Sequence, residues 1–275
     1  MKLTLLTFPT VTDVLFRRIS FMNLCKAVKE NGLVGLDMMM SEVSLYGVKK
    51  VRRALKENEL YLSSLIAYAP MGKGDKKVNA RLEKAVRRAH ELDCKRIMLV
   101  PMGQFEAGGL KATDKERLFE NYVKGFGLAS EICKREGIAL NVEDTPTCYL
   151  PLSSTEECAL LLNAVDGLSL TFDTANMLPG GSEPNEFYEK LKGKVTHVHL
   201  KDVEYLDKGQ DACVNGKFIR CCDYGKGVVP VRELCEKLLS DGYDGEMAIE
   251  YTSPKKRNYI SHKEHIKEFV DYLKG

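Results

Sequence analysis

Eight short apolar runs of the β type alternate with longer amphipathic stretches along the chain, and this alternation constrains the fold more than any other feature of the sequence. The expected strands are Leu3–Phe8, Val34–Met39, Leu60–Ile66, Arg96–Pro101, Ile138–Glu143, Leu168–Asp173, Val195–Leu200 and Glu246–Tyr251. The expected helices between them are Arg17–Asn31, Val48–Asn58, Asp75–Glu91, Asp114–Glu136, Ser154–Ala164, Pro184–Leu191 and Pro230–Ser240, and a last helix, His262–Leu273, closes the chain. Strands alternating with helices predict a parallel sheet, and eight such units predict an α/β fold, a (β/α)8 TIM barrel, as a single domain over residues 1–275. The competing open, doubly wound sheet usually carries a glycine-rich turn after its first strand, and Phe8-Pro-Thr-Val-Thr-Asp has no glycine. Local signals fit these boundaries. Gly32 and Gly137 suit left-handed helix ends, Ser153 with Glu156 or Ser154 with Glu157 makes a capping box, and Pro184 and Pro230 suit first-turn positions.

Four of the last strands each close on a residue that can bind a metal or move a proton: Glu143, Asp173, His199 and Glu250. Side chains alternate in and out along a barrel strand. With these four tips inward, Asn141, Thr171, Ser169, His197 and Ala248 also point in, while Leu140, Val142, Leu170, Phe172, Val198, Leu200, Met247 and Ile249 point out. Taken singly, each acidic tip reads as a helix cap or a loop ion pair, and the histidine as a satisfied core residue. One alternation shared by four strands instead aims all four at the C-terminal mouth, where barrel enzymes keep their chemistry. Two Glu, one Asp and one His form a hard oxygen set with one imidazole. Such a set suits one divalent ion, Mn²⁺ first, with Zn²⁺, Mg²⁺ or Co²⁺ as alternatives.

Other features are weaker. Asp202 to Val229 shows no helical or apolar period and contains Asn215-Gly216, Gly225 and Gly227; a connection of that length is usually functional, often a lid. Lys201 points inward by alternation and could meet a substrate oxygen, or stand solvated at the rim. Arg220 could close over substrate or be an exposed loop residue, and Asp37 could line the pocket or cap the next segment. Lys255-Lys256-Arg257 follows the eighth strand, where barrels often bind phosphate, but reads more readily as a solvated charged loop. His90, His262 and His265 read as structural or surface residues, and Met38–Met40 as core and pocket wall. Asp202 could orient a ligand from behind. The nine cysteines show no zinc-type pairing and suit reduced thiols in a cytoplasmic protein, with Cys221–Cys222 as solvated loop thiols. A net charge of +2 gives no footprint for nucleic acid. Met1–Pro9 lacks the apolar run of a signal peptide, and no stretch of 18 apolar residues predicts a membrane span.

The stretches Asn-Val-Glu143-Asp, Phe-Asp173-Thr-Ala-Asn176, His197-Val-His199-Leu-Lys201-Asp202, Gly-Lys-Gly227 and Gly242-Tyr-Asp-Gly-Glu-Met-Ala-Ile-Glu250 resemble the sugar phosphate isomerase/epimerase family. This family belongs to the xylose isomerase-like barrels, with tagatose 3-epimerase, hydroxypyruvate isomerase and inosose-processing relatives. The resemblance implies Glu143, Asp173, His199 and Glu250 as metal ligands, with Glu143 and Glu250 also catalytic, as the acid–base pair of an enediolate mechanism. It implies a small-molecule carbohydrate substrate: a ketose, a sugar phosphate or a related polyol ketone, contacted by Asn176, Lys201 and Arg220. It also implies a homo-oligomer, dimer or tetramer. The family commonly has His where this chain has Asn176, and Asn cannot titrate near neutrality. Three alternatives stand beside this reading. A dehydratase or lyase acting on a keto-inositol or a sugar conjugate would use the same ion. An abasic-site endonuclease would need more histidines than the five present. A non-catalytic sugar sensor would not need four intact tips.

Overall fold

The structure, a computed structural model, describes residues 1–71, 75–102, 114–251 and 261–275. Its strands are β1 (Lys2–Leu6), β2 (Gly35–Met39), β3 (Tyr61–Pro70), β4 (Arg96–Met102), β5 (Ala139–Glu143), β6 (Leu168–Asp173), β7 (Val195–Leu200), β8 (Asp202–Leu206), β9 (Asp211–Ala212), β10 (Phe218–Cys222) and β11 (Glu246–Ile249). The helices are α1 (Val11–Leu15), α2 (Phe21–Glu30), α3 (Met40–Tyr46), α4 (Val48–Glu57), α5 (Asp75–Glu91), α6 (Lys115–Arg135), α7 (Thr155–Ala164), α8 (Pro184–Leu191), α9 (Val231–Ser240) and α10 (His262–Lys274). Eight strands close into a parallel barrel in the order β1-β11-β7-β6-β5-β4-β3-β2, the expected (β/α)8 architecture.

The barrel wall separates two apolar groups. Outward residues such as Leu140, Phe172, Val198 and Met247 join the helices in the main core. Leu6, Met39, Ile66 and Met98 form a small separate cluster, with Val100 against it. Asn141, Thr171, His197 and Ala248, all inward by alternation, are fully buried.

Three expectations need correction. The first strand ends at Leu6; a 3₁₀ turn over Phe8–Thr10 and α1 follow, and α2 starts at Phe21, where the Ser20 hydroxyl accepts the Asn23 N–H at 3.1 Å. The stretch after β2 forms α3 rather than loop, because Glu42 reaches back to the Met39 N–H at 2.8 Å and caps it. The long connection is not aperiodic: β8, β10 and β9 make a three-stranded antiparallel sheet beside the barrel. Asp202 latches its end. The buried carboxylate accepts the backbone N–H groups of Gly225, Gly227 and Val229 at 2.9–3.0 Å and touches no candidate ligand. A Cβ on Gly227 would lie 2.2 Å from Asp202 Oδ1, so only glycine admits this approach.

Gly32 and Gly137 take the expected positive φ, at 78° and 65°. Of the two possible capping serines before α7, Ser154 is the one used, accepting the Glu157 N–H.

Candidate metal centre

Neighbouring barrel strands β5, β6, β7 and β11 bring Glu143, Asp173, His199 and Glu250 to one point, with one ligand-type atom of each within 4.8 Å of all the others. Register sets their heights: Asp173 pairs with His199, whereas Glu143 pairs with Thr171 and His199 with Ala248, so the tips climb by two residues at the β5–β6 and β7–β11 steps, with every tip on the same inward face. Two further bonds extend the ladder past the tips, Thr174 N–H to His199 O at 3.0 Å and Glu250 N–H to Leu200 O at 2.9 Å.

Several of the converging atoms lack hydrogen bonds. Asp173 Oδ1 accepts the N–H groups of Ala175 and Asn176 at 2.8 and 2.9 Å, which fixes the carboxylate. Its Oδ2 is buried and has no hydrogen-bond partner, as do Glu143 Oε1 and His199 Nδ1, which lie 2.5 Å apart but outside hydrogen-bonding alignment. Buried polar atoms are costly unless paired, and a cation between them would satisfy all three. The donor set therefore fits a divalent ion.

Charge around the cluster points the same way. Burial raises the Asp173 carboxyl to about 7, with Glu250 and Glu143 adding to the rise and Lys201 opposing it. Burial and the neighbouring Asp173 and Glu143 also push Asp144 well above its ordinary value; its Oδ1 accepts the Asp173 N–H at 3.2 Å. For Glu250, burial is outweighed by Lys201 and His199, and its carboxyl lies below the usual value. Lys201 Nζ stands 2.9 Å from Glu250 Oε1 and 3.7 Å from Asp173 Oδ2, and donates to Asn176 Oδ1 at 3.2 Å.

Beneath the cluster, the buried Asp37 aims His199. Arg96 Nη1 lies 3.2 Å from His197 Nδ1, and a guanidinium can only donate, so that nitrogen accepts. The His197 proton therefore sits on Nε2, 2.5 Å from Asp37 Oδ2. His199 Nε2 donates to the same oxygen at 3.1 Å, which turns Nδ1 toward the cluster. Asp37, His197 and His199 also have ligand-type atoms close enough together to hold an ion. There, however, the polar atoms already satisfy one another and Arg96 adds positive charge beside them, so the upper cluster is the better cation site.

A family model for the xylose isomerase-like TIM barrel matches residues 25–274. The chain belongs to that family. An uncharacterized protein of Methanocaldococcus jannaschii is 24% identical over 96% of this chain and 89% of its own length. An inosose dehydratase of Geobacillus kaustophilus is 26% identical over 67% of this chain and 65% of its own length, so the match spans just under two thirds of that relative. Among solved structures, a probable 3-DHS dehydratase of Bacillus anthracis superposes with a TM-score of 0.77 at 18% identity, covering 100% of this chain and 99% of that one. The IOLI protein, crystallised with a zinc atom, gives 0.73 at 14% identity, covering 100% and 95%. At these identities the structural likeness concerns the fold.

Within this xylose isomerase-like barrel, Lys201 and Asn176 join the tips, and Arg220 does not. Arg220 Nη2 binds Glu204 Oε1 at 2.7 Å across the antiparallel sheet, and its side chain is 55% exposed. Strand alternation turns Cys221 inward in its place. Cys221 is half-buried rather than solvated, and burial raises its thiol, with Lys201, Glu250 and Asp173 also acting on it. His262 and His265 are buried structural residues: His262 Nδ1 lies 3.0 Å from the Tyr251 hydroxyl, and His265 Nε2 lies 3.3 Å from Asp223. Lys255-Lys256-Arg257 lies outside the described residues. Sequence reasoning gave no role to His197, Arg96 or Asp144; the polar inward position of His197 was the one available signal.

Asp173 yields a pH prediction. Its folded value of about 7 exceeds the ordinary 3.8, so folding takes up a proton between those pH values. Metal-free stability therefore falls as pH rises through that window. Saturating Mn²⁺ relieves this and is expected to raise the Tm by about 5–10 °C at pH 8. By calorimetry the gain at pH 5 should be less than half as large, and equal gains would remove Asp173 from the ion's surroundings.

Proposed function

We propose that this chain is a divalent-metal-dependent isomerase or epimerase of a polyhydroxy ketone, a ketose or a sugar phosphate, working by proton transfer at the carbon beside the carbonyl. One observation carries the reading. Of the four converging side chains, Glu143 and Glu250 are each 18% exposed, whereas Asp173 and His199 are sealed at 0% and 1%. β6 and β7 lie between the strands that carry the two glutamates, so the carboxylates flank the mouth from two sides. One removes the proton; the other returns one to the opposite face in an epimerisation, or to the next carbon in an isomerisation. Asp173 and His199, with the glutamates, would hold the ion, which when bound supplies polarisation of the carbonyl and its neighbouring hydroxyl. The Lys201 ammonium, fixed by Glu250 and Asn176, offers a donor to a substrate oxygen. The xylose isomerase-like family and a structural neighbour crystallised with a zinc atom support the metal reading, and we propose Mn²⁺ as the native metal.

A second reading, dehydration of a keto-inositol or a similar ring ketone, draws on Lys201 and on relatives named as dehydratases. A buried ammonium held against a general base could protonate a departing hydroxyl after the same first step. The test is a panel of ketoses, ketose phosphates and inososes incubated with Mn²⁺-loaded protein in D₂O and followed by NMR. Deuterium beside the carbonyl of a recovered or isomerised ketone is expected. Loss of water without a new ketone epimer or isomer would favour the second reading, and no change in any compound would sink both.

A further inference from the structure

A cavity of about 370 Å³ opens beside the barrel mouth, between α3 and α5. Its floor is made by Met39, Ile66 and Tyr68 at the ends of β2 and β3. Met39 and Ile66 belong to the apolar cluster inside the barrel, and Asp37, which bonds His199 beneath the candidate metal centre, lies two residues before Met39 on the same inward face, so the cavity floor and the metal centre share one side of the barrel wall. Tyr68 bridges the two: burial raises its phenol, and the Glu143 carboxylate raises it further, which places it within the field of the cluster.

The far wall has a different chemistry. Arg81 and Lys84, three residues apart on one face of α5, line it, with Ser41 and Ser44, three apart on α3, opposite. Among the described residues no acidic side chain lines the cavity, and no ion pair engages either cation. The mouth itself is crowded with carboxylates, so an anionic group on a substrate would be repelled there and drawn to this pair. Two cations beside hydroxyl groups suit an oxyanion, and the apolar floor suits the carbon chain that leads to it.

We infer that the substrate carries a terminal oxyanion, a phosphate monoester or a carboxylate, bound by Arg81 and Lys84 while its ketone end meets the candidate metal centre. This rests on the proposed proton-transfer reading for the ketone end, and it sets neutral ketoses and inososes below their anionic counterparts as substrates.

The experiment pairs turnover with binding. Wild type, the double variant Arg81→Gln/Lys84→Gln and a control that removes a different exposed charge of α5, Lys77→Gln, are compared. Each is assayed with a ketose, its terminal phosphate and the matching keto acid. Each is also titrated calorimetrically with inorganic phosphate and with acetate. Wild type should prefer one anionic substrate over the neutral one by about 100-fold in kcat/KM, and the double variant should lose most of that preference through KM, about 10-fold for each cation. Phosphate preferred over the acid identifies a phosphate ester, and the reverse a carboxylate. Phosphate or acetate binding should weaken by a similar factor in the double variant and not in Lys77→Gln. Turnover without anion preference, or a preference untouched in the double variant, overturns the inference while leaving the proton-transfer reading standing. No turnover with any compound, but anion binding lost in the double variant, leaves this site standing and overturns the reaction.

Discussion

Replacing Glu143 by Gln is expected to slow interconversion of the substrate by about 10³-fold or more while the barrel stays folded. The change removes a negative charge and the capacity to take a proton but keeps the shape of the side chain. It falls on a carboxylate that is 18% exposed and whose Oε1 lies 2.5 Å from His199 Nδ1, an ion pair that Gln weakens. Glu143, Asp173, Glu250 and Asp144 crowd together, and Glu143 is among the charges that raise both Asp173 and Asp144. Without metal, relief of that repulsion offsets the lost ion pair to His199, so the variant should melt within about 5 °C of wild type, which separates lost chemistry from lost fold. The acid–base pair adds a finer expectation. With one base left, Glu143→Gln should still exchange deuterium from the face that Glu250 serves, without completing the epimerisation or isomerisation. Glu250→Gln should show the mirror behaviour. Wild-type turnover in Glu143→Gln would remove that residue from the mechanism, and equal loss of exchange on both faces would mean that one glutamate serves the substrate alone.

The parts of this molecule that were legible in its sequence are those set by period. Alternation along β5, β6 and β7 put Asn141, Thr171 and His197 inside and their neighbours outside, and the same period aimed four polar tips at one end of the barrel. The parts that escaped depend on contacts distant in sequence. Asp37 looks like a strand tip or a cap until His197 and His199, about 160 residues away, fold against its Oδ2. Asp202 resembles a ligand orienter because it follows the histidine strand, yet its carboxylate is occupied by the backbone of Gly225, Gly227 and Val229. Arg220 was read from a stretch without period, and there the antiparallel pairing of β8 with β10 decided which side faced the mouth. α3 was missed because its cap is Glu42 reaching back to Met39, a residue that gives no capping signal by type. Glu42 is itself buried, which raises its carboxyl to about 7 despite the bonds from Met39 and Thr7.

Asp37→Asn is expected to weaken divalent-metal binding by about 10- to 100-fold, although Asp37 touches neither Glu143 nor Glu250 in the hydrogen-bond network. In the native arrangement one carboxylate oxygen receives an N–H from each imidazole, and Thr4 lies 3.3 Å from the other. Burial pushes the Asp37 carboxyl up, but His197 and His199 outweigh it and hold it well below its ordinary value, so it stays charged. That charge keeps the His199 proton on Nε2 and increases the electron density at Nδ1, the atom facing the ion. An amide can still accept the two N–H groups but carries no charge, so Nδ1 becomes a poorer donor and the imidazole is freer to turn. Isothermal titration with Mn²⁺ reads the change directly. The same titration decides between the two places where an ion could sit. An ion held by the upper cluster loses affinity partially in Asp37→Asn and severely in Glu250→Gln. An ion between Asp37, His197 and His199 would lose nearly all affinity in the first variant and none in the second, and that result would move the metal centre one layer down into the barrel.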